Sequence, residues 1–442
     1  MKKLLRSLFI ALIPLAAVSC AQDDMAPAIS EPDTPAAETQ PGLFRSAAEA
    51  IQQAITDRSN MLGIPTPGSR AELDVKCIKR PAPSRSGEND TLLYVVNFPD
   101  EEGYAVIPAD RRIETLAVTE AGSFSSIDEM QNPAAKEFMK AAATYARTRF
   151  EIDTTTIAKP VPETFKLIRT DTTEYTLIPP RINLKWGQSG SLGKYCSNGV
   201  MGCVPLACAM ALSYFEQPRS ITLTYPGHTV NSVTLNWPSI KKHVKETPMQ
   251  TFCICGASGE AHDQLAHMCR QIGELIGSQY IYLNNNILYP ATSGTIEGAS
   301  TALSKLLPSK TKTLKNYNSV LVGSDLSNGI LVMFGIASIG ENHAWICDGY
   351  YHCKTIYGLY EPLPYNDLYG NPLFKLLEAY ETVTKDYTHV NWGWDGRDNG
   401  YYVSGIFETL TSRRQLDDEN DGHVTGDNRY PIANIKYIHI KI

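Results

Sequence analysis

Gly202-Cys203-Val204-Pro205-Leu206-Ala207-Cys208-Ala209-Met210-Ala211-Leu212-Ser213-Tyr214-Phe215 is the stretch on which the reading of this chain turns. Drawn as a helix from Cys203 to Phe215, it is apolar on nearly every face, so it belongs inside a core. Pro205 fits the first turn, where a missing N–H removes no bond. Cys203 therefore stands at the positive end of a buried helix. With a histidine nearby, that position can lower a thiol pKa from about 8.5 into roughly the 3.5–7.5 range. A buried cysteine is also commonly just a small hydrophobe, and Cys208, in mid-helix, reads that way.

Two downstream segments supply what a nucleophilic thiol needs. Asn342-His343-Ala344-Trp345-Ile346-Cys347-Asp348-Gly349-Tyr350 alternates as a strand does and carries a turn signal at Asp348-Gly349. His343 on that strand is a candidate general base, with a structural histidine as the alternative. His389-Val390-Asn391-Trp392-Gly393-Trp394 ends the next apolar run. There the Asn391 amide oxygen is expected to accept from the second imidazole nitrogen. Trp392 and Trp394 would shield that bond from water or simply pack the core. Upstream, Trp186-Gly187-Gln188 brings an amide donor that, with the Cys203 N–H, suits an oxyanion hole.

Taken in order, Trp186-Gly187-Gln188, Gly202-Cys203-Val204, His343-Ala344-Trp345 with Asp348-Gly349-Tyr350, and Asn391-Trp392-Gly393-Trp394 resemble the streptopain family of papain-like cysteine peptidases, family C10. The resemblance implies a papain-like α+β fold, with a helical part carrying the cysteine and an antiparallel β part carrying the histidine. It also implies broad endopeptidase activity from a zymogen. Carried over, Cys203 is the nucleophile, His343 the base, Gln188 the oxyanion donor, and Asn391 with Trp392 the imidazole support. Ser293-Gly294-Thr295 is similar to the family's substrate-wall glycine segment, which makes Ser293 and Gly294, with Asn342, substrate-binding residues. The chain departs from the family at Val204-Pro205-Leu206-Ala207, where Val-Ala-Thr-Ala is usual. Its Gln188–Cys203 interval is short, and its His343–Asn391 interval is long, as if Tyr351–Tyr387 held an inserted Tyr- and Pro-rich loop.

The rest of the chain fits an exported zymogen. With 442 residues, 43% hydrophobic and 20% charged, it exceeds one core. A formal net charge of −7 without a basic run argues against nucleic acid as a partner. Lys2, Lys3 and Arg6 followed by apolar Leu8–Val18 read as a secretory signal over residues 1–19. Ala17-Val18-Ser19-Cys20 resembles a lipobox, so Cys20 would carry the lipid that anchors the protein to a membrane; an ordinary cleavage site is the alternative. Residues 20–43 read as a tether.

A small α+β unit over 44–170 follows, similar to the family's inhibitory propeptide around Tyr94–Asn97 and Gly103–Ala109. In it, Ala47–Thr56 and Ile127–Arg149 read as helices, and Leu92–Phe98 and Tyr104–Pro108 as paired strands. Glu151–Pro180, polar and Thr-rich, reads as a linker or processing segment whose cleavage would free the catalytic unit, 181–442, from the membrane.

Cys253, Cys255, His262, His267 and Cys269 fall in one short stretch. Their spacing does not match a structural zinc site, a disulfide is an equal reading, and His262–Ile276 reads as a helix. Neither metal nor cofactor is expected. Protein or peptide substrates are the expected partners, and the rival to a peptidase is a catalytically silent papain-like lipoprotein that binds peptides or a host protein in the same groove.

Overall fold

A capping box sets the start of the first helix. The Ser46 hydroxyl accepts from the Glu49 N–H while the Glu49 carboxylate accepts from the Ser46 N–H. This helix, α1 (Ala47–Leu62), ends at Gly63 in the left-handed region, φ 67°. It runs past the expected Thr56 because Asp57 and Arg58 are buried, Asp57 accepting from the Thr115 hydroxyl and Arg58 pairing with Glu102 at 2.9 Å. The computed structural model describes residues 44–64, 73–80, 90–111, 113–152, 168–188, 190–244, 257–282, 290–292, 294–336, 342–366, 372–407 and 433–442. The signal, Cys20, most of the tether, Cys253, Cys255 and Ser293 lie outside them.

Strands β1 (Asp74–Lys79), β2 (Thr91–Asn97), β3 (Tyr104–Pro108) and β4 (Ala117–Thr119) form an antiparallel meander after α1. Helix α2 (Pro133–Ile152) begins at Pro133 rather than Ile127. Asn132 Oδ1 accepts from Ala134 and Ala135 N–H at 3.2 and 3.3 Å, and Pro133 presets the first helical φ.

The expected linker is partly a strand. β5 (Ile168–Ile178) pairs antiparallel with β12, described below, from Tyr350↔Ile178 to Leu359↔Ile168. Its threonines and Tyr175 suit a strand once a partner edge exists.

After β5 come α3 (Cys203–Phe215) and a small hairpin, β6 (Ser220–Thr222) and β7 (Ser232–Thr234). Helices α4 (Trp237–His243) and α5 (Ala257–Ile276) follow, then a second hairpin, β8 (Tyr280–Tyr282) and β9 (Pro290–Thr292). Next come α6 (Ile296–Leu306), β10 (Lys312–Asn316), α7 (Ser319–Ser327) and β11 (Gly329–Ile336). The chain ends in β12 (Asn342–Asn366), β13 (Pro372–Asn391), β14 (Gly400–Val403) and β15 (Ala433–Lys441).

The main sheet runs β1-β2-β3-β4-β14-β13-β12-β11-β15-β10, with β5 alongside β12. Two sequence expectations yield here. Asp348-Gly349 is no turn: β12 passes through it with a register slip between Cys347 and Gly349. Gly349 is needed for close approach instead, since a Cβ there would lie 2.9 Å from both His389 Cβ and the Ile178 carbonyl oxygen. Tyr351–Tyr387 is likewise no loop, because β12 and β13 stay paired as far as Asn366↔Pro372.

Alternation along β11 explains how the sheet is buried. Ile330 and Val332 join a core with α3, α5 and α6, whereas Leu331 and Met333 join a core with residues 50–146. A helical layer thus carries Cys203 and an antiparallel sheet carries His343, the division of a papain-like α+β fold. Among the described residues, no helix is long and apolar enough to cross a membrane.

Candidate active site

Gly202 makes the start of α3 unusual. Its φ of 87° and ψ of 162° are open essentially to glycine alone, and having no side chain it leaves the first-turn N–H groups uncapped. Cys203 follows it, half-buried, while every residue from Val204 to Ser213 is buried. The backbone N–H groups of Ala344, Cys203 itself and Val204 lie close enough to favour the Cys203 thiolate, against burial. The first of these sits on β12 beside His343, so the helix start meets the strand at the expected histidine.

One ring nitrogen of His343, Nε2, lies 3.0 Å from the Trp392 carbonyl oxygen. A carbonyl only accepts, so Nε2 carries the proton and Nδ1 is left as the basic nitrogen. The ring also stacks on Trp345, with centroids 6.2 Å apart and planes at 16°. Burial pulls the His343 pKa down to about 4, opposed by the Trp392 carbonyl. Burial likewise pushes the Cys203 thiol up, against the pull of those three N–H groups. Burial thus works against the thiolate that the helix start was expected to favour.

Asn391 does not hold the imidazole as expected. Its amide nitrogen donates to the Leu184 carbonyl at 2.8 Å, and its Oδ1 accepts from Gly393 N–H at 3.1 Å. It therefore brackets Trp392 and fixes the carbonyl that holds His343. The sequence could not flag that carbonyl, because a backbone acceptor has no residue signature. Trp392 is tied further by Asn399 Oδ1, which accepts its N–H at 3.0 Å, and by its indole N–H donating to the Asp398 carbonyl at 3.1 Å.

Gln188 is brought to the helix start by its backbone. Its carbonyl accepts from Met201 N–H at 2.9 Å, and the preceding Gly187 bridges to Trp394. A Cβ at Gly187 would fall 2.2 Å from Asp395 Oδ1, so any larger residue must displace that carboxylate. Gly294 packs on the other side, where a Cβ would lie 2.9 Å from Val204 Cβ. Asn342 pairs with Ile336 at the start of β12. Cys203, Gln188, His343, Trp392 and Gly294 thus gather around one helix start. His262, His267 and Cys269 are buried on α5 away from it, and among the described residues no group of three or more His, Cys, Asp or Glu is arranged to hold a metal.

The N-terminal segment reaches this cluster. β4 pairs with β14 (Val118↔Tyr401), and Phe138 of α2 meets Tyr402 edge-on, 4.6 Å between centroids. Tyr402 in turn meets Trp392 edge-on at 5.3 Å. Tyr104 donates to Asp398 Oδ1 at 3.0 Å, and Tyr387 to the Thr115 carbonyl at 2.8 Å. Separately, Asp348 of β12 and His389 of β13 form a buried pair, with exposed Glu120 after β4 against His389, three distant residues that carry no common signal in the sequence.

No curated protein matches the chain. A solved structure of a prointerpain A fragment from Prevotella intermedia, carrying a Cys-to-Ala mutation, is similar to it at 18% identity. That match spans 83% of this chain and 98% of that one, with a TM-score of 0.47. The sequence model of the Peptidase C10 family matches residues 186–402, a span that starts at Trp186 and takes in Cys203, His343 and Trp392. Over residues 186–402, this chain belongs to the Peptidase C10 family, a family of cysteine peptidases.

Proposed function

We propose that the protein is an exported cysteine endopeptidase made as a self-processing zymogen, with residues 44–170 as its inhibitory propeptide and Cys20 as a lipid anchor. The observation that carries this reading is Cys203 at a helix start without a side-chain cap, with a histidine on the strand nearby whose tautomer the Trp392 carbonyl dictates. In the reaction, His343 Nδ1 takes the Cys203 proton and the thiolate attacks the scissile carbonyl carbon. The Cys203 N–H and the Gln188 side-chain amide receive the oxyanion. Collapse expels the amine, which leaves with the proton held by His343. Water, deprotonated by the same nitrogen, then hydrolyses the thioester and restores the thiol. Gly294, with Ser293 and Asn342, would line the substrate side.

Latency follows from burial of the pair. The contacts from Phe138 through Tyr402 and Trp392 to His343 support a propeptide that acts on the base from behind. Cleavage between Glu151 and Arg181 would release the catalytic unit from the anchored part, and cell fractionation of wild type against Cys203→Ala reads this directly. The central test is a peptidyl epoxide inhibitor of papain-like enzymes, with the labelled site mapped by mass spectrometry. Labelling at Cys203 that is lost in His343→Ala is the expected result. No labelling, even after limited proteolysis of the first unit, would favour a silent peptide-binding protein.

A further inference from the structure

We propose that Glu120, His389 and Asp348 form a charged latch that fastens the N-terminal unit to β12 and β13, the strands that hold His343 and lead into Trp392, and that protonation of Glu120 opens it. The proposal deepens the zymogen reading and rests on it only for the consequence that an open latch relieves inhibition.

His389 is 2% exposed in its side chain and lies on β13, three residues before Trp392. Its Nδ1 donates to Asp348 Oδ1 at 2.6 Å, and Asp348, fully buried, also accepts from Ile182 N–H at 2.6 Å. Asp348 and His389 therefore tie together the strand after His343, the strand before Trp392 and the segment leading to Gln188. The other face of the imidazole meets Glu120, directly after β4, with Nε2 and Oε1 3.2 Å apart. That contact is an ion pair without hydrogen-bond alignment. Tyr401 of β14 covers the ring edge-on, 5.2 Å between centroids, and Lys185 adds a positive charge that stabilises the Glu120 carboxylate. Arg181 reaches the Asp348 backbone carbonyl at 3.5 Å. The groups facing His389 are thus two carboxylates, one phenol and more distant cations, an arrangement that favours imidazolium.

The two carboxylates are unequal. Asp348 is sealed, whereas the Glu120 side chain is 39% exposed and open to protons from solvent. Protonating Glu120 leaves a buried, hydrogen-bonded Asp348–His389 pair of zero net charge, so acid removes only the bond between the units. Burial raises the Glu120 pKa, but the His389 contact and charge outweigh it and leave it lowered. Its contribution is complete above the ordinary carboxylate range and is lost as pH falls through the lowered value. Burial lowers the His389 pKa, but Asp348 and Glu120 win and raise it to about 10. Its contribution is complete below pH 6.5 and is lost as pH rises toward 10. The latch therefore holds across the neutral and mildly acid range and opens in acid.

Hydrogen exchange on the full chain carrying Cys203→Ala tests this without any need for peptidase activity. Amides of β4 and β14 in Glu120→Gln should exchange at least about tenfold faster than with Glu120 at pH 6.5, while β11 amides keep their rates. Below the Glu120 titration the two proteins should converge. Equal β4 and β14 exchange at pH 6.5, or a tenfold difference that persists unchanged into acid, overturns the latch. Absence of Cys203 labelling in the epoxide experiment would instead sink the peptidase reading and leave this result standing.

Discussion

Cys203 of the uncleaved chain should alkylate with the pH profile of a neutral thiol. With His343 at about 4, only about one imidazole in a thousand is protonated at pH 7. With burial pushing the thiol up, Cys203 is mostly thiol there. Below the thiol pKa, thiolate rises tenfold per pH unit, so the rate should climb about a thousandfold from pH 5 to pH 8. An ion-paired thiolate would give a flat profile over the same range. Slope decides between them better than absolute rate, because a lower pKa also weakens the nucleophile and blurs the rates. The assay is timed iodoacetamide labelling, read by peptide mass spectrometry on full-length chains alone, with exposed Cys77 as the accessibility reference. A flat Cys203 profile in intact chains would refute the argument that burial sets the state of the pair. Chains cleaved between the units should become flat, as the imidazole regains water.

Gly202→Ala should destabilise the protein by about 1–3 kcal/mol, because its φ of 87° and ψ of 162° lie where a Cβ is strained; urea unfolding at constant m-value measures it. Acid should weaken the fold through His343. Its folded pKa of about 4 lies below 6.5, so the unfolded chain binds the extra proton and stability falls as pH drops from 6.5 toward 4, by up to about 3 kcal/mol. Comparing Cys203→Ala with and without His343→Phe at pH 7 and pH 4.5 isolates that loss, and equal acid sensitivity of the two would contradict it.

How far the sequence spoke depended on the range of the interaction. Helix α3 and strand β3 were legible to the residue, since an apolar run and a local alternation settle each one. Gln188, Cys203 and His343 were singled out by residue type, and the structure brings the segments that carry them to the start of α3. β5 was not, as a Thr-rich segment becomes a strand only when an edge some 180 residues away accepts it. Asp348-Gly349 misled for a similar reason. The pair looks like a turn locally, yet the carboxylate is held by His389 and the glycine by crowding from the neighbouring strand. Asn391 was expected to accept from the imidazole, but its amide serves the backbone around Trp392. Nor did helix position alone set the charge on Cys203, since desolvation depends on everything packed around it.

The placement of β15 bears on how the protein is born. This strand, which follows β10 and β11 in the chain, lies between them and pairs with both. Ile438 and Ile440 enter the helical core while Tyr437 enters the opposite one. Until residue 441 is available, β11 has no neighbour on that side, and β11 is the strand that aligns His343 through Gly335. A nascent chain therefore holds Cys203 and His343 in sequence well before it can hold them in register. Alignment at His343 thus waits on a strand that follows it in the chain, a dependence separate from any contact of residues 44–170.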